Sequence, residues 1–281
     1  MSIFQGEIYK MVTLEYQKKS NRIYSEFGCH YHDVYEVYYF VSGDAEILVE
    51  GKIYPLKPHS LILLAPNVLH GIQVNSTADY VRYCLYIAPE DIIPERLHIL
   101  KHFMPDLKKD PNQEILYEHT ESFRLEEFFY NIKQVENQPP ETQAVLLPIF
   151  TEAIVAQLSL LCNTLRPFSH SGENSNKVTE IINYLNVHLS EALTLESIAD
   201  HFFISKNYLN KTFKQVVGTT VMEYLRLKRV LLARQYIRDG ETAMNAAMLV
   251  GFSDYSSFYR SYTKYIKSAP RDEIRSCKAD L

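Results

Sequence analysis

The chain has 281 residues, enough for two domains of ordinary size. With 46% hydrophobic and 22% charged residues it has apolar material for two folded cores, so disorder is not the default reading. The formal net charge of -5 hides an asymmetry: residues 1–176 carry -9 (14 Lys and Arg against 23 Asp and Glu), and residues 177–281 carry +4 (15 against 11).

The basic excess is sharpest over 205–238, where eight cations face one acid, Glu223. That pattern points to nucleic acid, although a solvated basic face reads the same way. Cys29, Cys84, Cys162 and Cys277 form no C-x-x-C pair and no zinc spacing, so they read as four separate small hydrophobes. No apolar run is read as approaching a membrane span. Met1 to Glu7 has no basic start followed by an apolar stretch, so the chain is expected in the cytoplasm.

The first ninety residues read as short strands: 34–41, 45–49, 53–56, 60–64, 71–74 and 80–87. They are rich in β-branched and aromatic residues, and turn signals fall about every ten residues, at Ser42-Gly43-Asp44 and Glu50-Gly51-Lys52 among others. This spacing predicts a sandwich or small barrel. Running into the first strand is His30-x-His32-x-x-x-Glu36. In an unbroken strand these three even-numbered side chains share one face, continued by Tyr38 and Phe40. His70 closes a later strand. Three imidazoles and a carboxylate suit zinc, iron, nickel or manganese, and they also suit a metal-free ligand pocket. Tyr24, Tyr38, Tyr54, Tyr80, Tyr83 and Tyr86 fall in the sheet region, where rings and hydroxyls can meet a sugar or simply pack. Arg82 is placed to meet a carboxylate or phosphate, or to pair with a surface acid.

The period then changes. Residues 121–137 carry Phe123, Leu125, Phe128, Phe129 and Ile132 at helical spacing, and Gln138-Pro139-Pro140 breaks the pattern. A longer helix is predicted over 141–165, kinked or begun at Pro148. Its apolar face serves the domain core or a dimer seam. The stripe Leu147, Ile154, Leu158 and Leu161 is expected to form an antiparallel homodimer. Residues 166–176 read as a linker.

Beyond the linker the chain reads as helical. Leu195–His201 forms a short helix with Ile198 and Ala199 inward. A turn at Phe202-Phe203-Ile204 follows, and Ser205 caps the next helix. That helix buries Leu209 and Phe213 and shows Asn207, Asn210, Lys211 and Lys214, a mixture suited to base edges and phosphates. A weak repeat at offset 49 pairs Leu209 with Phe258, Lys211 with Arg260, Phe213 with Tyr262 and Gly218 with Lys267. The second copy begins at Ala246-Ala247, turns at Val250-Gly251-Phe252 and is capped by Ser253 or Asp254. It shows Tyr255, Ser256, Tyr259 and Arg260 outward. One long helix, 221–238, joins the copies and carries Arg226, Lys228, Arg229, Arg234 and Arg238.

The run from Ser205 through Tyr208-Leu209, Phe213-Lys214, Gly218, Tyr224-Leu225, Arg229, Gly251-Phe252-Ser253-Asp254, Ser256 and Phe258 to Pro270 resembles the DNA-binding domain of AraC/XylS-type transcription regulators. The resemblance implies two helix-turn-helix units on adjacent major-groove segments, about 34 Å apart. Their operator contacts are expected at Ser205, Lys206, Asn207, Asn210, Lys211 and Lys214, then at Tyr255, Ser256, Tyr259 and Arg260. Lys267 in place of glycine, Glu273-Ile274 in place of Tyr-Arg, and Ala246 in place of Ile depart from the family. His30, His32, Glu36 and Gly43 similarly resemble the first cupin motif. Pro66 and His70 meet the second in part, with Val68 and His59 at glycine positions.

The expectation is therefore an α+β chain. Residues 1–165 form a cupin-like β-barrel with a helical dimerisation segment, and 177–281 form an all-α double helix-turn-helix domain. The function implied is a transcription regulator, expected to be an activator and not an enzyme. Its partners are an operator in double-stranded DNA, a small-molecule effector such as a sugar, RNA polymerase and a second copy, with no membrane. The effector would meet His30, His32, Glu36, Tyr38, His70 and Arg82, and a divalent metal would take His30, His32, Glu36 and His70. A metal-dependent cupin enzyme tethered to DNA is the alternative, and a constitutive regulator whose cupin only dimerises is a third reading.

Overall fold

A computed structural model describes residues 13–20, 23, 27–88, 114–168 and 177–273. Tyr24, Cys277, Ile274 and most of the expected linker lie outside them. Contacts divide the chain into a sheet-bearing unit, which takes in residues 31–173, and a helical unit, which takes in 174–281.

The sheet unit holds β1 (Thr13–Lys19), β2 (Tyr35–Ser42), β3 (Ala45–Val49), β4 (Lys52–Pro55), β5 (Ser60–Leu64), β6 (His70–Val74), β7 (Tyr80–Ile87) and β8 (Leu116–Tyr117). A five-stranded sheet of order β1-β7-β2-β5-β8 faces a three-stranded sheet of order β4-β3-β6, and all the pairings are antiparallel. Six of the strands were read from the sequence within a residue or so. β1 and β8 were not: TLEYQKK is polar at alternate positions, and two residues carry no periodicity.

Strand alternation sorts the core into two clusters. Tyr38, Phe40, Ile62, Leu64, Cys84 and Tyr86 point between the sheets, against Ala45, Ile47 and Val49 of β3. Val37, Tyr39, Leu61, Leu63, Leu85 and Ile87 point the other way, against α1 (Leu125–Glu136) and α2 (Pro140–Thr164). Because both faces are covered, β2 is buried at every position from Glu36 to Phe40.

This arrangement corrects the expected dimer stripe. Leu147, Ile154, Leu158 and Leu161 are between 0% and 5% exposed within a single chain, packed against α1 and the sheet. Val145, Ile149 and Leu160 on the other side of α2 are more than half exposed. The helix runs through Pro148 without a break. It is also long and apolar enough to cross a membrane by length and composition, against the expectation that no apolar run approaches a span. One of its faces is spent on the protein core.

The helical unit contains α3 (Lys177–Val187), α4 (Leu195–His201), α5 (Lys206–Val217), α6 (Val221–Arg238), α7 (Ala243–Leu249) and α8 (Tyr255–Ile266). Side-chain caps set the starts of α4 to α8. Thr194, Ser205, Thr220, Thr242 and Asp254 each accept a backbone N–H three residues ahead. The start of α7 lies three residues earlier than Ala246, at its Thr242 cap.

Candidate functional site

Glu36 is the centre of the sheet unit's interior. It sits on β2 opposite Tyr86 of β7 and is 2% exposed. Its Oε2 lies 3.0 Å from His70 Nε2 and 3.6 Å from His32 Nε2. His30 and His32 precede β2, so the unbroken strand assumed from the sequence does not exist, yet the two imidazoles still arrive. Ring nitrogens of His30, His32 and His70 all lie within 4.8 Å of one another.

Backbone carbonyls fix which nitrogen carries the proton. His70 Nδ1 is 3.0 Å from the Val68 carbonyl, and His30 Nδ1 is 3.1 Å from that of Gly28. A carbonyl only accepts, so each Nδ1–H donates and each neutral ring keeps its lone pair on Nε2. In His70 that lone pair faces a carboxylate oxygen at 3.0 Å, an arrangement that requires a cation between them. A proton shared between the two atoms meets the need, and so does a divalent metal. With three nitrogens, one carboxylate and backbone-oriented rings, the donor set fits zinc, iron, nickel or manganese. Burial pushes the Glu36 carboxyl up. The His70 and His32 imidazoles, with Arg82 behind them, overcome that and hold it well below the usual range.

The other sequence-selected groups divide by strand parity. Tyr38, Tyr54, Tyr80 and Tyr86 line the same interior. Tyr83 does not: it stacks on Phe129 of α1 at 5.0 Å, on the outer face. Arg82 lies over the Tyr38 ring at 5.6 Å and faces Glu15 at 3.5 Å.

In the helical unit, α5 buries Leu209, Phe213 and Val217 and leaves Lys206, Asn207, Lys211 and Lys214 exposed. Asn210 is different. It is half-buried, and its Oδ1 accepts the Val221 N–H at 3.3 Å, joining α5 to the start of α6. Lys206 is 3.1 Å from Glu196. Ser205 accepts the Tyr208 N–H. Tyr208, which is not among the contacts expected from sequence, is 53% exposed between Asn207 and Lys211. On α8, Ser256, Tyr259 and Arg260 are exposed, while Tyr255 is half-buried against Phe258.

Two family models match these two regions. The helix-turn-helix domain model matches residues 198–276, and the AraC-like ligand binding domain model matches residues 20–124. The chain is an AraC-type transcription regulator. It is 24% identical over 240 residues to the HTH-type transcriptional regulator YbfI of Bacillus subtilis, covering 83% of this chain and 82% of that one. It is 23% identical over 249 residues to the HTH-type transcriptional activator RhaS of Citrobacter koseri, covering 88% and 87%. Among solved structures, ToxT of Vibrio cholerae aligns over 94% of this chain and 98% of its own at 15% identity, with a TM-score of 0.35, and adds nothing to the assignment.

As an AraC-type regulator, the protein binds DNA through its helical unit and carries a ligand-binding domain of two sheets. His30, His32, Glu36, Tyr38, His70 and Arg82 all fall within the AraC-like ligand-binding match. The departures from the AraC pattern have structural places. Ala246 is fully buried, and Lys267 takes the left-handed C-cap of α8 at φ 65°. Glu273 is a buried carboxylate bonded to Arg234 at 2.6 Å and Arg238 at 2.9 Å.

Proposed function

We propose that this regulator binds an operator through the exposed faces of α5 and α8, and that an effector held around Glu36 controls it. The single observation that carries the reading is the pair of convergent sites: a buried His–Glu–His cluster in the ligand-binding domain and two capped helices with polar and cationic outer faces in the DNA-binding domain. Activation is supported by the likeness to the transcriptional activator RhaS, and it would bring the protein into contact with RNA polymerase. The protein acts where its DNA is, in the cytoplasm, and performs no catalysis. The effector is a small polar molecule, with sugars the first class to test, because tyrosines line the interior. A divalent metal, if bound, would be held by His30, His32, Glu36 and His70 and would orient an oxygen of the effector. Two copies associate through the outer face of α2, the apolar surface that the core leaves over.

The test begins with selection of bound duplexes from a random pool, which defines the operator. Lys211→Ala should then weaken operator binding by about 1–3 kcal/mol if the lysine reads a base. Unchanged binding at physiological salt removes Lys211 from the interface, and a pool with no enriched sequence sinks the operator reading. Metal analysis of the purified protein decides between the two cations that Glu36 can accept. A metal-dependent enzyme is the competing reading of the histidine cluster, and turnover by the metal-loaded protein would replace the regulator reading with it.

A further inference from the structure

The polar interior around Glu36 extends past Tyr86 to a corner with contacts of its own. The corner lies where β1, the edge strand, meets β7. Register places Glu15 opposite Cys84 and Gln17 opposite Arg82, so these side chains share the inward face with Tyr80, Cys84 and Tyr86. Arg82 is largely buried, with a side chain 16% exposed, whereas the Glu15 side chain is 42% exposed. Inward groups are therefore fully buried on β2 and half-exposed on β1, and the interior meets solvent along this edge.

Arg82 is held loosely for a guanidinium in such a place. Its Nε donates to Gln17 Oε1 at 3.2 Å, and one terminal nitrogen lies against Cys84 Sγ. Its counter-charge, Glu15 Oε2, is 3.5 Å away, and the Tyr86 hydroxyl reaches that same oxygen only at 3.4 Å. Well-made bonds between a guanidinium and a carboxylate run at about 2.7–2.9 Å, often in bidentate pairs. Beneath the guanidinium is Tyr38, whose hydroxyl is 2.6 Å from that of Tyr80, and both residues are at most 2% exposed. Two phenols that share one hydrogen bond keep one O–H unspent for a further acceptor.

We propose that this corner receives the carboxylate of a small hydroxylated acid. Arg82 takes that carboxylate as a two-bond fork in the place of Glu15, and the Tyr38–Tyr80 pair donates its remaining O–H to a ligand oxygen. A neutral sugar is a poorer occupant, for an electrostatic reason. Displacing Glu15 with an uncharged group strips a largely buried guanidinium of its nearest counter-charge, whereas a carboxylate exchanges like for like with shorter bonds. The inference rests on the reading that the interior binds the effector, and it narrows the class of effector.

The experiment is calorimetric titration and thermal shift on the full chain with gluconate, glucuronate, glycerate and lactate, against glucose and propionate. At least one hydroxy acid should bind and raise the melting temperature where glucose and propionate at equal concentration do not. Arg82→Gln should weaken that binding tenfold or more. Glu15→Gln, at a half-exposed edge position where folding is not at risk, should tighten it several-fold by removing the internal competitor. Binding of glucose without any acid overturns the inference and leaves an effector-binding interior standing. Binding of none of the six overturns it together with the sugar-like class. Acid binding that neither variant alters places the anion elsewhere and overturns it as well.

Discussion

Phe203 and Gly251 occupy the same place in the two helix-turn-helix turns. Each N–H reaches a carbonyl three residues back, Asp200 or Met248, and each next residue, Ile204 or Phe252, bonds back to Ala199 or Ala247. Both have positive φ, 54° and 85°. Gly251 has a second reason to be glycine, since a Cβ there would meet the Ser190 carbonyl oxygen at 2.7 Å. Phe203 has open surroundings and is 95% exposed, so its ring gives the core nothing while its backbone carries the left-handed cost. Phe203→Gly should therefore raise stability by about 0.5–1 kcal/mol in chemical denaturation. Gly251→Ala should lower it by about 2 kcal/mol or more, from strain and a carbonyl clash together. A loss of stability in Phe203→Gly would mean that the ring packs on something in the folded protein.

At the scale of elements, α6 is the axis of the DNA-binding domain, and its cations divide between tasks the sequence could not separate. Arg229 is buried. Its guanidinium donates to the carbonyls of Leu189, Glu191 and Gly251, tying the segment after α3 to the second turn. Arg234 and Arg238 are both spent on Glu273. Burial pushes the Glu273 carboxyl up, but the two guanidinium groups prevail and hold it below its ordinary value. A depressed carboxyl contributes stability above its unfolded pKa, about 4.3, and loses it as pH falls through the folded value. Glu273→Gln should therefore cost about 1–3 kcal/mol at pH 7. The gap from wild type should close as both proteins are denatured at successively lower pH below about 4. A gap independent of pH would assign the loss to packing rather than charge.

For the whole molecule, the two faces of α2 have different surroundings, core on one side and solvent on the other. Leu158 is fully buried in the chain's own core, so Leu158→Ala should cost about 2–5 kcal/mol of stability whatever the oligomeric state. Apart from Glu152 at its middle, the exposed stripe is apolar and symmetric about its centre. Val145 and Leu160 lie equally far from the midpoint between residues 152 and 153, and so do Ile149 and Ala156. In the proposed dimer, an antiparallel pair of helices would set Val145 against the partner's Leu160 and Ile149 against the partner's Ala156, the self-complementary pattern of a two-fold dimer. Wild type should scatter light as twice the chain mass, and Leu160→Glu should reduce it to one chain with circular dichroism unchanged. A wild-type monomer at micromolar concentration rules out the seam.

Local signals carried much of this protein's outline. Alternation and turn residues marked six strands because a strand's period is two, and Ser205 marked the start of α5 because a cap acts within three residues. The offset repeat even placed Gly218 and Lys267 at the same left-handed C-cap, at φ 81° and 65°. His30, His32, Glu36 and His70 could be picked out by residue type, and the tertiary structure then gathered them and set the tautomers through the Gly28 and Val68 carbonyls. What local pattern cannot carry is the identity of the partner across space. Apolar residues on both sides of α2 look alike until the sheet covers one side. An arginine on α6 looks like any other until carbonyls 22 to 40 residues away surround it. Which hydrophobe is core, and which charge is structural, was decided only when the chain brought those distant groups into contact.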